Sequence, residues 1–307
     1  MSAARPWIVV LTWNGRERLS FSLPAADRLE GSPEILVVDN ASHDGGAERA
    51  RELLPRVHVL RNERNLGFAG GNNRGISYAL ERGATHVVLV NDDMALEPDW
   101  WTQISRVATR EPRAAILGGL VLFVSRPDRV NSTGLVVDRF WRARDRDFDR
   151  PLAETREIRR AAWSAGSEVV TGVTGGAICL RRDLLEHVGL LDERLFAYYE
   201  DLDLCLRARA NGFESRFVPA AVSHHQFAAT LGVDHPKRRY LLARNHLLIA
   251  RRYAPRAAWP LIVGGTALYR LLVKAPAALL RGRADLARAE LHAVRDALFG
   301  STPEGAA

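Results

Sequence analysis

The stretch "WIVVLTW", residues 7–13, is a continuous apolar run rich in β-branched side chains, and Asn14-Gly15 follows it directly. An apolar run of this length that ends in a turn dipeptide predicts a strand buried on both faces, as in a parallel sheet. The stretch "EILVVDNAS", residues 34–42, repeats the pattern, and its apolar part ends at Asp39-Asn40. The first part of the chain is therefore predicted to form parallel strands of an α/β domain.

Helical patterns alternate with strands up to about residue 100. "AERARELL" (47–54) and "NNRGISYALERG" (72–83) predict helices, whereas "VHVLRN" (57–62) and "THVVLVNDDM" (85–94) predict strands. This alternation predicts βαβ units and a mainly parallel sheet, in which ligands bind beyond the carboxyl ends of the strands. Polar residues gather at these predicted strand ends: Asn14, Asp39, Asn40, Asp92 and Asp93.

The second half of the chain is less regular. Residues 138–165 are charged and contain scattered aromatics, which predicts an exposed and mobile excursion. "TGGAICLRRDLLEHVGLLDE" (174–193) predicts a buried strand followed by a short helix, and "RFVPAAVSHH" (216–225) predicts a further strand. The two histidines that end the latter strand can reach the same sheet edge as the carboxylates.

The bulk composition excludes several classes of protein. The chain has 307 residues, 47% of them hydrophobic and 26% charged, which is typical of a globular protein. Its two cysteines, Cys179 and Cys205, predict neither a disulfide framework nor a metal site, and no secretory signal is evident, so a cytoplasmic setting is expected.

The positive charge is concentrated in the C-terminal tail. Positions 237–307 carry 13 Lys and Arg against 4 Asp and Glu, or +9, and the rest of the chain therefore sums to −2, since the total is +7. The run from Ala257 to Tyr269 is apolar before Arg270 and Lys274 interrupt it, and it falls short of the length that a membrane span needs. Two alternatives stay open: a basic helix lying on an anionic membrane surface, or a helix pair packed on the protein with a solvated arginine face. A tail without stacked aromatics argues against nucleic acid as a partner.

The carboxylates at strand ends have both a structural and a functional interpretation. Asp92-Asp93 is either a turn after a strand or a pair of hard oxygen ligands for Mg²⁺ or Mn²⁺. In "YYEDLDL", residues 198–204, the acidic side chains favour a helix N-terminus through the helix dipole. Asp203 is expected to pair with Arg207 one turn later, which leaves Glu200 and Asp201 at the helix start, a position suited to a general base.

Seven motifs of this chain occur in the order seen in family 2 glycosyltransferases of the GT-A fold, and the chain most resembles the bacterial rhamnosyltransferase-like branch. They are "VVLTWNG", "ILVVDNASHDGG", "NLGFAGGNN", "VLVNDDM", "TGGAICLRRDLLEHVGLLDE", "YYEDLDLCLRARANGF" and "VPAAVSHH". The resemblance runs from about residue 6 to 252. It implies a Rossmann-like, mainly parallel sheet flanked by helices, with a helical C-terminal extension.

The resemblance also implies a role for individual residues. Asp201 matches the base, and Asp93 matches the last carboxylate of the family's metal-binding DXD-type motif, whose first position is Asn91 in this chain. His224 matches a histidine that approaches the metal, with His225 as the alternate. The positions expected to bind the nucleotide-sugar are Thr12, Asn14, Asp39, Asn40, Asn65, Gly71, Asn72 and Asp92. Those expected to face the acceptor are Gly175, Gly176, Tyr199 and Glu200.

The function implied is an inverting, Mg²⁺- or Mn²⁺-dependent transfer of a sugar to a hydroxyl of a cell-envelope glycan or lipid-linked acceptor. L-Rhamnose from dTDP-rhamnose is the favoured donor, with a UDP-sugar as the alternative, and the enzyme is expected at the inner face of the cell membrane. Residues 1–236 would form the transferase domain, with a nucleotide-sugar half up to about 100 and an acceptor half up to 236, and 237–307 the extension. A sugar nucleotidyltransferase and a non-catalytic glycan-binding module are the alternatives.

Overall fold

The computed structural model describes residues 4–227 and 235–300. The strands are β1 (Pro6–Thr12), β2 (Glu34–Asp39), β3 (His58–Arg61), β4 (His86–Asn91), β5 (Met94–Leu96), β6 (Ala114–Phe123), β7 (Val130–Ser132), β8 (Leu135–Val137), β9 (Ala143–Asp145), β10 (Glu168–Val170), β11 (Ala177–Arg181) and β12 (Glu214–His225). The helices are α1 (Arg16–Asp27), α2 (Gly46–Leu53), α3 (Gly67–Glu81), α4 (Trp100–Arg110), α5 (Leu152–Ile158), α6 (Arg160–Ala165), α7 (Arg182–Val188), α8 (Glu200–Ala210), α9 (Pro236–Tyr253), α10 (Gly265–Tyr269), α11 (Ala275–Leu280) and α12 (Ala284–Phe299).

Ten of these strands form one mixed sheet, in the order β10-β12-β6-β11-β4-β1-β2-β3, with β5 beside β12 and β7 beside β6. β4, β1, β2 and β3 run parallel, and β11 runs antiparallel between β4 and β6. Thr12 is the register partner of Asp39, and Leu11 is the partner of Asn91. The carboxyl ends of β1, β2 and β4 therefore lie at one edge, and the mainly parallel sheet predicted from the sequence is confirmed.

The central strands are buried on both faces, which explains their uninterrupted apolar sequences. Along β1, Ile8 and Val10 pack into a core with α1 and α4, whereas Trp7 and Val9 pack into a second core with α3 and α7. Alternate residues of one strand thus fill opposite sides of the sheet, so that helices must cover both.

The glycine- and asparagine-rich stretch at 65–73 is largely helical, because α3 begins at Gly67, ahead of the helix predicted to start at residue 72. A Cβ added at Gly75 would lie 2.4 Å from Val9 Cγ1, and one added at Gly71 would lie 2.5 Å from Leu11 Cδ1. These glycines let α3 approach β1 closely.

Most residues of the segment 138–165 are exposed or half-buried, as predicted, but the segment is not irregular, since β9, α5 and α6 lie within it. The buried Asp147 carboxylate organises this region. It accepts hydrogen bonds from Arg159 Nε and Nη2 at 3.1 and 3.2 Å, and from Thr133 Oγ1 at 2.6 Å. Polar contacts, rather than a periodic apolar pattern, hold this segment in place. Hydrophobic periodicity therefore gives no sign of its strand and helices.

The chain divides into two compact units. The first contains the ten-stranded sheet. The second contains the described residues from 235 onward together with Val137–Arg144 and Glu193–Glu200. It thus includes the predicted extension from residue 237 and adds two short segments from earlier in the chain.

The second unit is built around α9 and α12. Leu247 and Ala250 of α9 and Val294 and Ala297 of α12 share one apolar core. The helix Arg256–Leu280, which includes α10, α11 and the π-helical turns Pro260–Gly264 and Arg270–Lys274, packs on the same core. The expectation that this region is too short for a membrane span needs correction: by length and composition alone this helix is long and apolar enough to cross a membrane, and 22% of its most apolar window is buried inside the protein.

Candidate active site

The two adjacent carboxylates that follow β4 have different surroundings. Asp92 accepts hydrogen bonds from Arg18 Nε at 2.9 Å and Nη2 at 3.0 Å, and from Thr12 Oγ1 at 2.7 Å. Gly15 gives this ion pair its space, because a Cβ there would lie 2.0 Å from Asp92 Oδ2. Thr12 and Asp92, two of the residues predicted to bind the nucleotide-sugar, thus take part in one network that joins the ends of β1 and β4. Sequence reasoning missed Arg18.

Asp93 lies beside His225 rather than His224. The antiparallel pairing of β12 with β5 sets His225 opposite Met94, and this brings His225 Nε2 to 3.3 Å from Asp93 Oδ2. His224 faces the other way, with its Nε2 at 2.7 Å from Glu97 Oε1. Successive residues of a strand point to opposite faces, so only one of the two histidines can reach Asp93. Of the two histidines weighed as metal ligands, the alternate, His225, is therefore the one beside Asp93, and its role in metal binding stays a prediction.

The carboxylate that ends β2 starts a turn and keeps one oxygen available. Asp39 Oδ1 accepts a hydrogen bond from the Ser42 amide at 2.8 Å. Oδ2 is buried, accepts no hydrogen bond within the described part of the chain, and lies 3.4 Å from Arg61 Nε. Asn14 also contacts this turn. Its Oδ1 accepts a hydrogen bond from the backbone N–H of His43, and its backbone N–H donates to Ser42 Oγ, both at 2.9 Å.

Asn40 and Asn65 hold the loop that leads into α3. Asn40 Nδ2 donates to Asn65 Oδ1 at 2.9 Å and to Gly67 O at 3.0 Å, while Asn40 Oδ1 accepts from Asn62 Nδ2 and the Leu66 amide at 3.0 Å. These amide groups are used within the protein, so both asparagines shape the predicted nucleotide-binding edge.

Helix α3 contributes the other two positions predicted to bind the nucleotide-sugar. Gly71 packs against β1, as described above. Asn72 is buried, and its Nδ2 donates to Phe68 O at 3.0 Å. Its Oδ1 accepts no hydrogen bond from the residues that the structure describes. A buried acceptor without a donor is costly to retain, so this oxygen is a candidate to accept a hydrogen bond from a ligand.

Asp201, the predicted base, is held by backbone amides. Its Oδ2 accepts from the Gly175 amide at 2.9 Å, and its Oδ1 accepts from the Leu202 amide at 2.7 Å. Burial raises the pKa of Asp201 above the ordinary value, and these amide hydrogen bonds offset part of the rise. A raised pKa makes the ionised carboxylate a stronger proton acceptor.

The expected pairing of Asp203 is confirmed by the structure. Asp203 is fully buried in α8 and accepts from Arg207 Nε at 2.8 Å. Arg207 also donates to the carbonyl oxygens of Val188 and Leu190, at 2.9 and 2.7 Å. Asp203 is therefore a packing residue of the helix, in contrast to Asp201 two positions earlier.

Asp145 is a candidate site residue that the sequence did not indicate. Its Oδ1 is buried and accepts no hydrogen bond within the described residues. Burial raises the pKa of Asp145 to about 6, a hydrogen bond from Ser132 opposes that rise, and the charges of Asp201 and His225 both act on it. Asp145 thus connects the predicted base electrostatically with the predicted metal side. An aspartate in a charged, irregular stretch carries no sequence signal that would set it apart.

The two glycines predicted to face the acceptor, Gly175 and Gly176, have different contacts. Gly175 donates its amide to Asp201, and a Cβ at this position would meet the Phe68 ring at 3.3 Å. Gly176 accepts from the Asn91 amide at 2.9 Å, and a Cβ added to it would make contacts of ordinary length. The structure thus gives Gly175 a defined role in holding Asp201.

Tyr199 and Glu200 lie at a strained turn of the second unit. Tyr198 and Tyr199 have φ values of 71° and 74°, which are unfavourable for residues with a side chain. Asn245 Nδ2 donates to the carbonyl oxygens of Leu195, Ala197 and Tyr198 at 2.8–2.9 Å. Tyr199 is buried, with its ring stacked on His246, and Glu200 is buried at the start of α8. The acceptor roles of both residues stay predictions.

Comparison with known proteins finds similarity to glycosyltransferases. Residues 7–241 match the model of the family described as "Glycosyltransferase like family 2". The chain is 29% identical over 236 residues to N-acetylglucosaminyl-diphospho-decaprenol L-rhamnosyltransferase of Mycobacterium tuberculosis, with 71% of this chain and 74% of that protein aligned. It is 24% identical over 254 residues to the dTDP-rhamnosyl transferase RfbF of Shigella flexneri, with 80% of each covered. An uncharacterised Sinorhizobium fredii protein, y4gI, is 29% identical over 73% of this chain, which spans 24% of that protein.

A solved structure shows that the fold is shared. The crystal structure of GalNAc-T7 with UDP, GalNAc and Mn²⁺ superposes with a TM-score of 0.63 and 14% identity, covering 81% of this chain and 48% of that one. The order of the strands and the match to the family model both indicate a glycosyltransferase fold. The chain belongs to glycosyltransferase family 2 and is a sugar-transferring enzyme with a GT-A-like fold.

Proposed function

We propose that this enzyme transfers L-rhamnose from dTDP-rhamnose, with inversion, to a hydroxyl of a cell-envelope glycan or lipid-linked acceptor. The observation that carries the proposal is the Asp201 carboxylate, held by the amides of Gly175 and Leu202 and raised in pKa by burial. The names of the two relatives, an L-rhamnosyltransferase with a decaprenol-linked substrate and a dTDP-rhamnosyl transferase, support the sugar, the nucleotide and the class of acceptor.

The chemistry asks for one proton acceptor. In a single inverting displacement the acceptor oxygen attacks the anomeric carbon, its bond to that carbon forms, and the bond from carbon to the diphosphate oxygen breaks. The hydroxyl proton passes to Asp201, and the nucleoside diphosphate leaves with the electron pair. No covalent enzyme intermediate is required, which distinguishes this route from that of a retaining glycosidase with its nucleophilic carboxylate.

The residues around Asp93 fit a divalent cation. His225 Nδ1 lies 3.0 Å from Asn131 Oδ1, so a neutral ring that donates there turns the lone pair of Nε2 towards Asp93 Oδ2, 3.3 Å away. Two acceptors then face each other unless a cation or proton lies between them. Asp93 Oδ1 is also buried and accepts no hydrogen bond within the described residues.

The set of protein donors suits a cation that keeps other ligands. Across residues 4–227 and 235–300 no three side chains of His, Cys, Asp and Glu are placed to hold a metal. Mg²⁺ and Mn²⁺ sites of nucleotide enzymes commonly use one or two protein ligands and complete the shell with phosphate oxygens and water. Bound at Asp93 and His225, the ion would neutralise charge on the diphosphate leaving group. The Mn²⁺ in the GalNAc-T7 structure supports this assignment.

Nucleotide recognition is proposed for two buried acceptor oxygens at the sheet edge. Asp39 Oδ2 and Asn72 Oδ1 are buried and accept no hydrogen bond from described residues, so each can accept one from a ribose hydroxyl or a base N–H. Asp92 acts through position: its ion pair with Arg18 fixes the end of β4, from which Asp93 follows. The enzyme is proposed to work in the cytoplasm, on the inner face of the cell membrane.

Thermal unfolding with a panel of nucleoside diphosphates tests this function. A ligand present at a hundredfold its Kd adds about 2.7 kcal/mol to stability, which is a readily measured rise in Tm. We expect a rise with dTDP that exceeds those with UDP and GDP and that requires Mn²⁺. Asp93→Asn should abolish the Mn²⁺-dependent rise in Tm with dTDP, whereas His224→Ala should keep it.

Turnover of dTDP-rhamnose then separates the alternatives. Release of dTDP together with a rhamnosylated acceptor supports the transferase. Release of diphosphate from dTTP and rhamnose 1-phosphate would make the protein a nucleotidyltransferase. An absence of any nucleotide effect would favour a glycan-binding module and refute the proposal.

A further inference from the structure

The helix Arg256–Leu280 exposes a row of leucines. Leu261, Leu268, Leu272 and Leu279 are 57–70% exposed, and Leu280, at the end of the helix, is 90% exposed. Tyr269 and Val273 of the same helix are 43% and 49% exposed, so the exposed surface of this helix is mainly apolar. Contiguous apolar surface of this kind is unusual on a soluble protein and marks a contact with a partner or a membrane. We call the first four leucines, at positions 261, 268, 272 and 279, the leucine face.

The leucine face is not the side by which the helix packs on its own unit. Ile262, Val263 and Ala267 are 5–7% exposed and join the core formed with α9 and α12. The helix is therefore already anchored on one side, and its exposed leucines are additional to what folding of this unit uses. The sequence alternatives, a packed helix or a surface-binding helix, thus describe two sides of one helix.

Charge around the leucine face has a single sign. Positions 254–283 contain five Lys and Arg and no Asp or Glu. Arg270 is paired with Glu290 at 2.8 Å and Arg283 with Asp285 at 2.7 Å. The other three cations are Arg256 and Arg281, exposed at the two ends of the helix, and Lys274 between the leucines. Apolar side chains flanked by cations match the surface of an anionic bilayer, where acyl chains lie beneath negative headgroups.

We propose that the leucine face docks on an anionic lipid bilayer, with the helix lying in the interface. Glu290 of α12 is 1% exposed and binds both Arg270 and Arg239 of α9, at 2.8 and 3.3 Å. A transmembrane orientation would take the charged centre of this network into hydrocarbon or pull it apart, and both are costly. A helix lying flat keeps the network intact and buries only the leucines. The inference does not depend on the proposed function, which it complements by placing the enzyme where lipid-linked acceptors occur.

Vesicle flotation of the full chain tests the proposal. Wild-type protein should float with vesicles of two parts phosphatidylcholine to one part phosphatidylglycerol, and it should bind pure phosphatidylcholine much more weakly. Serine at all four leucine positions should lower the partition coefficient by about 100-fold or more, because each leucine contributes apolar transfer free energy. Lys274→Gln with Arg281→Gln should lower it by about fivefold per charge on anionic vesicles alone.

A matched variant controls for loss of surface hydrophobicity in general. Serine at four exposed apolar positions of the first unit should leave flotation unchanged; these are Val124, Val136, Ile158 and Val169, which are 37–54% exposed. Circular dichroism checks that each variant is folded. Asp201→Asn should float like the wild type, so a failure of membrane docking is distinguishable from a failure of the transferase assignment.

Three results would overturn the proposal. Unchanged flotation of the four-serine variant would show that the leucine face is not the binding surface. Wild-type protein that stays with vesicles during alkaline carbonate extraction would show that the helix spans the bilayer. A dimer that is lost in the four-serine variant, without any flotation of the wild type, would assign the face to a second copy of this chain.

Discussion

Replacing Asp201 by asparagine changes the proposed base while keeping the size of the side chain. The carboxylate accepts two backbone hydrogen bonds, at 2.9 and 2.7 Å, whereas asparagine offers one acceptor oxygen, so one amide loses its partner. That loss costs about 1–3 kcal/mol. The substitution also removes a charge that burial disfavours, as the raised pKa of Asp201 indicates. Because these effects oppose each other, we expect the free energy of unfolding to change by less than about 2 kcal/mol.

Turnover should respond far more strongly than stability. General base catalysis typically contributes a factor of about 10²–10⁴, so kcat of Asp201→Asn should fall by that range, equivalent to about 3–5 kcal/mol of the barrier. The assay is release of nucleoside diphosphate with the sugar donor and an acceptor, with donor Kd measured separately by calorimetry. Donor Kd should stay within about twofold, because the substitution leaves Asp39, Asn72 and Asp93 in place.

Asp203→Asn is the matched control, since it makes the same substitution two residues later in the same helix. Asp203 is fully buried and paired with Arg207, whose side chain is 24% exposed. Breaking the pair should cost about 2–3 kcal/mol of stability, less than the loss of a fully buried pair, with kcat per folded molecule nearly unchanged. If Asp201→Asn turns over within threefold of the wild type, or if Asp203→Asn loses turnover while Asp201→Asn does not, Asp201 is not the base.

Three other side chains, Asp145, His225 and His246, have surroundings that lead to measurable effects. Asp145→Asn should stabilise the protein at pH 7 by up to about 3 kcal/mol. The pKa of Asp145 is about 6 in the folded state against 3.8 ordinarily, so the stability of the wild type falls as pH rises between these values. The gain in Tm of the variant over the wild type should therefore vanish near pH 4, and a gain that persists there would contradict the reasoning. His225→Ala should weaken activation by Mn²⁺ by about tenfold or more while His224→Ala changes it less than twofold, and equal effects in a Mn²⁺ titration of activity would refute the reassignment. His246 is buried with its pKa lowered to about 4, so the wild type should lose up to about 3 kcal/mol of stability as pH falls from 6.5 to 4, and a His246→Gln variant should show a smaller loss in urea unfolding over that range.

The fold could be predicted because its signal is local and repeated. Each central strand is buried on both faces, and therefore each appears in the sequence as an unbroken apolar run that ends in a polar residue at the sheet edge. The region 138–165 could not be predicted in this way. Its order depends on Asp147 meeting Arg159 and Thr133, and such pairings across a chain leave no periodic trace in the sequence.

The candidate site was predictable as a set of positions but not as a set of contacts. The motifs located the carboxylates and the histidine pair, yet the choice between His224 and His225 depends on which face of β12 each occupies. That face is fixed by the register with β5, where His225 lies opposite Met94. A register between strands so distant in the sequence is set by tertiary packing, which no local pattern encodes. Asp145 was missed for a similar reason, since its burial near Asp201 and His225 is produced by elements that are far apart along the chain.

The adjacent pair Asp92-Asp93 shows how chemistry can be divided between like residues. The hydrogen bonds that Asp92 accepts from Thr12 and Arg18 fix the end of β4, although burial still raises the pKa of this carboxyl. Asp93 has a buried oxygen without a donor among the described residues and a histidine beside it. We propose that the charge of Asp93 is balanced by the cation that binds there, because no described residue donates a hydrogen bond to its buried oxygen. The same asymmetry separates Asp203, paired with Arg207, from Asp201, which is held by amides. In each pair an arginine holds one carboxylate, and we assign the reaction to the other.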